Sequence, residues 1–325
     1  MNDLERFREA VVEGLSSSPK KLPSRYFYDP EGDRLFQQIM ELPSYYLSRA
    51  ERDNMPAVAE GIRDWIGKNA LDLIDLGSGD GRKTEILLEG LLDDSFPVRY
   101  FPVDISPSVL ELQTQRLQQR WPDLPLQPVA ADYLRSPWVL PEAPGKRLFL
   151  FLGSNLGNFT GEAETALFAL LRRLCRPGDG VLLGLDLAKR PERILAAYND
   201  PEGITARFNL NLLDRINREL GGDFDRSAFV HWPIYDPIAR EARSHLVCVR
   251  SAEFGLEGGP RFAFEAFEAI HTETSRKYSL IQNEQIAIQM GFRQTRVFVH
   301  RDAEGEAVFA DFLWERRAEH QPRTP

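Results

Sequence analysis

Leu73-Ile74-Asp75-Leu76-Gly77-Ser78-Gly79-Asp80-Gly81-Arg82-Lys83-Thr84 reads as a strand, a glycine turn and the first turn of a helix. Glycines at 77, 79 and 81 let the backbone turn sharply and let a ligand approach the main chain closely. The helix that follows aims free N–H groups at the bound molecule, which favours an anionic group such as a carboxylate or phosphate. A second apolar run, Tyr100-Phe101-Pro102-Val103, ends on Asp104. That acid lies about 27 residues after Gly77, near the roughly 20-residue offset at which an acid takes ribose hydroxyls. Together these segments describe a nucleotide-type cofactor lying across the carboxyl ends of two neighbouring parallel strands.

The glycine spacing separates two readings. A dinucleotide fingerprint is G-x-G-x-x-G, its third glycine packing helix on strand. Here the order is G-x-G-x-G, and Arg82 takes the place of that third glycine. Asp75 and Asp80 flank the turn, where a pyrophosphate would meet like charge. The stretch resembles motif I of the class I S-adenosylmethionine methyltransferases, whose ligand is a sulfonium cation with an amino-acid tail.

Composition sets outer limits. The chain has 325 residues, 42% hydrophobic and 27% charged, as in a soluble globular protein of one large domain or two ordinary ones. Its net charge of −9 argues against nucleic acid as a general partner. Cys175 and Cys248 suggest a reducing compartment, and no Cys/His spacing describes a zinc site, so no metal is expected. No apolar run reaches membrane-span length, and the charged start Met-Asn-Asp-Leu-Glu-Arg-Phe-Arg is no signal sequence. A cytoplasmic monomer is the expectation.

Along the chain, residues 1–20 read as an amphipathic helix with Leu4, Phe7, Val11 and Leu15 on one face. A tyrosine-rich loop follows at 23–30, then helices over 35–42 and 49–66. Strands are expected near 71–76, 99–103, 126–130, 148–152 and 181–186, with helical patterns between them. This alternation describes an α/β fold with a doubly wound parallel sheet. It stops at 189, where two helices (190–198, 204–220) and three strand-like runs (229–235, 243–252, 262–271) intervene. After Tyr278 a helix near 280–290 leads to 293–299, a turn at 301–305 and a last strand at 308–314. A closing antiparallel hairpin belongs to the methyltransferase fold and is absent from dinucleotide folds. The expected division is therefore a methyltransferase domain (53–188 and 278–325) with an inserted α+β substrate-binding or lid domain (1–52 and 189–277).

Further segments narrow the resemblance. They are Tyr26-Phe27-Tyr28-Asp29, Leu42-Pro43-Ser44-Tyr45-Tyr46-Leu47-Ser48-Arg49, Phe151-Leu152-Gly153-Ser154-Asn155-Leu156-Gly157-Asn158, Ala197-Tyr198-Asn199-Asp200, Phe208-Asn209-Leu210-Asn211, Ile216-Asn217-Arg218-Glu219-Leu220 and Thr272-Glu273-Thr274-Ser275-Arg276-Lys277-Tyr278. In that order, over roughly residues 8 to 315, the chain resembles the ergothioneine-pathway histidine Nα-methyltransferases. The resemblance implies S-adenosylmethionine as cofactor and a small amino acid as substrate, with three methyl transfers to the α-amine of histidine.

It also implies the site residues. Gly77, Lys83, Asp104, Asp132 and Tyr133 fall at cofactor positions: Lys83 for the methionine carboxylate, Asp104 for the ribose, Asp132 for the adenine amine with Tyr133 beside it. Tyr45, Asn158 and Tyr198 fall at positions that hold and orient the reacting amino-acid end, with Tyr28 expected to close over the site in the same way. Glu273 and Ser275, with Thr274 between them, fall at the imidazole; alternate strand residues share a face, so 273 and 275 point together. Plainer readings exist for each: an N-cap for Asp132, an Asx-turn for Asn158, packing for the tyrosines, and ordinary polar alternation for 273–275. One departure stands out. Family members can carry Glu-Met where this chain has Arg243-Ser244, before His245-Leu246, and that methionine lies near the substrate ring. The same chemistry on another amino acid, such as tryptophan or a modified histidine, is the nearest rival. A non-catalytic S-adenosylmethionine-binding protein is a more distant one.

Overall fold

The protein is described from a computed structural model over residues 2–92, 96–135 and 139–318. Two compact units emerge, Met1–Tyr46 with Lys189–Arg276, and Leu47–Ala188 with Lys277–Pro325. The first boundary falls after Tyr46 rather than after residue 52, because the whole helix Leu47–Ile66 packs on the helix Arg82–Leu91 and on the two C-terminal strands. Lys277 likewise belongs with the sheet, and residues 319–325 of the expected methyltransferase domain lie outside the described residues.

The larger unit is built on a seven-stranded sheet. Its spatial order is Phe292–Arg301, Ala307–Arg316, Gly180–Asp186, Lys146–Phe151, Leu71–Leu76, Val98–Asp104 and Val129–Ala130. The last five of these run parallel, and Ala307–Arg316 is antiparallel to both of its neighbours. Every residue of Leu71–Leu76 and Gly180–Asp186 is buried, as expected for parallel strands covered on both faces. One apolar cluster, including Ile74, Phe149, Phe151 and Trp314, fills one side, and another, including Leu73, Leu87, Leu148 and Ile62, fills the other. Side chains of neighbouring residues on one strand thus feed opposite cores, which follows from the two-residue period. The expected strand at 126–130 is reduced to Val129–Ala130 and an isolated bridge from Leu126 to Tyr100.

The smaller unit carries a four-stranded sheet in the order Lys20–Lys21, Ala269–Arg276, Glu241–Cys248, Phe229–Asp236. The helices Pro191–Tyr198 and Ile204–Leu220 pack on one face of it. Asp3–Ser16 is capped by Asn2 and Glu5 in a reciprocal capping box; it buries Phe7, Val11 and Leu15 but leaves Leu4 exposed. The expected runs 243–252 and 262–271 are each broken. Strand pairing stops at Cys248 and resumes in the hairpin Ala252–Gly255 with Arg261–Phe264, and Phe267 turns through φ +70° before Ala269–Arg276 begins. Both cysteines are free and buried, and no described helix is long and apolar enough to cross a membrane.

Candidate active site

The glycine turn follows the fully buried strand Leu71–Leu76 and ends at Gly81, which begins the helix Arg82–Leu91. Gly77 and Gly81 sit at φ +73° and +68°, and a Cβ on Gly81 would lie 1.9 Å from Gln113 Nε2. Only glycine fits both requirements at position 81. A Cβ on Gly77 would have Asn155 and the Tyr133 ring as neighbours at 3.9 Å, so an amide and an aromatic edge stand close to this glycine.

Asp104 ends the adjacent strand and is tied to the turn. Its carboxylate accepts from Gly79 N at 3.0 Å and from Ser106 N at 2.9 Å. Two carboxylate oxygens still offer further lone pairs to ribose hydroxyls. Asp132 accepts from Leu134 N at 3.1 Å, so it organises its own turn as a capping residue would. Tyr133 meets Phe151 edge-on at 6.0 Å, and burial raises its hydroxyl pKa. Asn158 closes the short turn Asn155–Asn158 beyond the strand Lys146–Phe151, at the carboxyl end of the sheet.

Sequence reasoning missed the buried polar chain under the turn. Ser78 Oγ donates to Gln113 Oε1 at 3.1 Å, Gln113 Nε2 to the Tyr100 hydroxyl at 2.9 Å, and Tyr100 in turn to Asp75 at 2.9 Å. Thr84 Oγ also donates to Asp75, at 2.5 Å. Burial raises the Asp75 carboxyl to about 6, opposed by these two hydroxyls. Lys83 is not a lone cation either. Its Nζ meets Glu51 Oε2 at 2.5 Å, and Glu51 Oε1 accepts from Gly153 N at 2.7 Å. Glu51 belongs to none of the sequence motifs.

In the smaller unit the decisive feature is a β-bulge. His271 pairs with His245 across the sheet, but Glu273 pairs with Ser244 and Ser275 with Ala242. The extra residue, Thr272, is buried and donates to Asn209 Oδ1 at 2.8 Å and to the Ser244 carbonyl at 3.0 Å. Strict alternation would have put Glu273 on the face of His271. The bulge turns Glu273 and Ser275 to the helix-covered face instead. Thr274 points the other way and meets His271 Nε2 at 2.9 Å, so its side chain does not share the face of Glu273 and Ser275.

Ser244 is 1% exposed on the same inner face as Glu273, and its hydroxyl has no hydrogen-bond partner among the described residues. Arg243 and His245 lie on the opposite face; Arg243 pairs with Glu241 at 2.6 Å and His245 stands 5.5 Å from the His271 ring. Tyr198 ends its helix buried. Tyr28 has 43% of its surface exposed, yet burial of its hydroxyl, then the charges of Glu273 and Asp33 and the proximity of Tyr198, raise its pKa. Tyr28 therefore lies within electrostatic reach of both Glu273 and Tyr198. Tyr45 and Tyr28 each meet Phe36 edge-on, at 6.3 and 5.6 Å.

Several residues of the recognition segments prove to be scaffolding. Asp29 caps the helix Pro30–Glu41 through Gly32 N at 2.7 Å and binds Asn211 and Arg218. Asp200 accepts from Ile204 N and Thr205 N at 2.7 and 2.8 Å at the head of the next helix.

A parallel sheet of this order, closed by an antiparallel hairpin and carrying a glycine turn braced by the acid of the next strand, defines a class I S-adenosylmethionine-dependent methyltransferase. The chain belongs to the family of histidine-specific, S-adenosylmethionine-dependent methyltransferases, whose family model matches residues 7–315. It is 40% identical over 224 residues to a histidine N-alpha-methyltransferase of Mycobacterium tuberculosis, covering 69% of each chain. It is 34% identical over 296 residues to the protein of that name from Mycolicibacterium smegmatis, covering 90% of each. Ergothioneine biosynthesis protein 1 of Schizosaccharomyces pombe is 27% identical over 82% of this chain and 36% of its own length.

Proposed function

We propose that this chain transfers methyl groups from S-adenosylmethionine to the α-amine of histidine, three times in succession, in the ergothioneine pathway. The observation that carries the substrate reading is the bulge at Thr272, which turns Glu273 and Ser275 together to the inner face beside the buried Ser244. A carboxylate and two hydroxyls there suit the two nitrogens of an imidazole. A site built to hydrogen-bond a ring discriminates strongly against one that leaves its polar groups unpaired. Thr274 is left out of this set because its side chain faces the other way.

Tyr45 and Tyr198 supply hydroxyls to the amino-acid end, and Asn158 orients the reacting amine through its amide. The residues of the larger unit suit the cofactor: Lys83 for the tail carboxylate, Asp104 for the ribose, Asp132 and Tyr133 for the adenine, with Gly77 allowing close approach. S-Adenosylmethionine when bound supplies an electrophilic methyl group on a sulfonium. The task left to the protein is to present a neutral amine in line at about 3–3.5 Å. An α-amine with a pKa of about 8 or higher is mostly protonated at neutral pH and must lose a proton before attack. Tyrosine hydroxyls and the Asn158 amide select its lone-pair direction, and solvent takes the proton. Aromatic faces such as those of Tyr28, Phe36 and Tyr45 favour the growing ammonium charge. A net charge of −9 and two free thiols suit a cytoplasmic enzyme, and a monomer is the simplest state consistent with this reading.

Ser244 favours a second reading, since its buried hydroxyl has no hydrogen-bond partner among the described residues. A ring with polar atoms other than imidazole would also meet it. Calorimetric titration of a panel of amino acids, with S-adenosylhomocysteine present, separates the two. Selective histidine binding supports the first reading; tighter binding of another amino acid replaces it.

A further inference from the structure

Glu51 lies on the helix Leu47–Ile66 and is only 1% exposed. A carboxylate buried this deeply is costly unless it is paired and hydrogen-bonded. Both conditions are met: Gly153 N donates to one oxygen at 2.7 Å and the Lys83 ammonium meets the other at 2.5 Å. A second acid, Asp311 on the strand Ala307–Arg316, is 0% exposed and accepts from Asn54 Nδ2 at 2.9 Å. Burial, and then the negative charge of Glu51, push the Asp311 carboxyl well above its ordinary value. The strand Gly180–Asp186 leaves room for both acids. A Cβ on Gly184 would lie 2.0 Å from Glu51 Oε1 and 3.2 Å from Asp311 Oδ1.

The Lys83 ammonium and the Glu51 carboxylate form the ion pair at the centre of this cluster. Access to it is one-sided, because Lys83 is 28% exposed while Glu51 is 1%. The ammonium would lie 3.1 Å from a Cβ on Gly153, in the turn that leads to Asn158.

We infer that Glu51 is a positioning residue which acts through Lys83, fixing its ammonium over the Gly153 turn where the carboxylate of the cofactor's amino-acid tail binds. The inference rests on the proposed role of Lys83. A lysine head on a flexible four-carbon stem samples many positions unless something holds it. Held in advance, it loses less freedom when the ligand arrives. Glu51 occupies one of the three ammonium donors and leaves the others for a ligand. It also preserves the charge. Burial works against the ammonium, and Glu51 is the foremost group opposing that, followed by Asp75 from the strand Leu71–Leu76 and Asp80 from the glycine turn.

Calorimetry on the full chain with two probes tests this. S-Adenosylhomocysteine carries the tail; 5′-methylthioadenosine lacks it. In Glu51→Gln, S-adenosylhomocysteine should bind about tenfold more weakly near pH 7 and weaker still near pH 9, where an unsupported buried lysine loses its proton. The tail-less probe should change by less than about twofold, and in a Lys83→Met background the Glu51 change should add nothing further. Glu51→Asp, which keeps the charge, should retain a flat pH response. Equal loss of both probes would mean a merely structural role and overturn the inference. So would unchanged S-adenosylhomocysteine affinity in Glu51→Gln at both pH values, or a Lys83→Met variant that keeps its affinity. A wild-type chain that binds neither probe would overturn the reading of the site itself.

Discussion

Lys277 Nζ lies 2.9 Å from Asp186 Oδ2, and neither side chain has any exposed surface. Asp186 ends the strand Gly180–Asp186, and the Tyr278 N–H donates to its carbonyl at 2.9 Å. The outgoing chain and the returning chain of the larger unit are thus clamped together on either side of residues 189–276. A buried pair repays its desolvation only with good geometry, but removing one partner leaves the other charge stranded.

Lys277→Met should therefore destabilise the protein by about 3–5 kcal/mol in urea titration. Adding Asp186→Leu should restore most of that loss, since the stranded carboxylate is gone. A loss below about 1 kcal/mol for Lys277→Met would make the pair no more important than a surface ion pair.

Asp75 gives a pH dependence of defined sign. Its folded value of about 6 is above the ordinary 3.8, so its contribution to stability is present below about pH 4 and is lost as pH rises through about 6. The size of the loss is on the order of 3 kcal/mol. In Asp75→Asn the amide oxygen can still accept from Thr84 and Tyr100, while the titration disappears. Stability of the variant relative to wild type should rise between about pH 4 and pH 7 in chemical denaturation. Parallel curves would show that Asp75 does not titrate in that window.

Asp104→Ala should weaken S-adenosylhomocysteine by about thirtyfold or more, roughly 2 kcal/mol, because the acceptor proposed for the ribose is lost and Gly79 N and Ser106 N lose theirs. Calorimetry reads this directly. Affinity retained within about threefold would take Asp104 out of the cofactor site.

Glu273→Ala should weaken histidine by about 1.5–3 kcal/mol, the range for a hydrogen bond to a charged group. Glu273→Gln should lose less, because the amide keeps one acceptor. Steady-state kinetics and equilibrium binding check both variants, and unchanged histidine binding in Glu273→Ala would detach the imidazole from this strand.

The sheet was legible because its signals are local. Apolar runs, the Gly77–Gly81 turn and the 301–305 turn each fix an element without reference to distant residues. The breaks at Val249–Ser251 and Phe267 were not, since neither has the glycine or proline that marks a turn, and Phe267 adopts positive φ without being glycine. Spacing gave 273 and 275 a common face, but which face depended on a bulge that Thr272 and Asn209 stabilise over a long sequence separation. Glu51 was invisible for the same reason. On a helix it reads as one more surface acid, and only the fold brings it to Lys83 and Gly153.

The most direct measurement is turnover of L-histidine with S-adenosylmethionine, its products resolved by mass spectrometry and their methyl positions by NMR. One, two and then three methyl groups should accumulate on the α-nitrogen with the imidazole unmodified. Methylation of the ring, or transfer to a different amino acid with none to histidine, would contradict it.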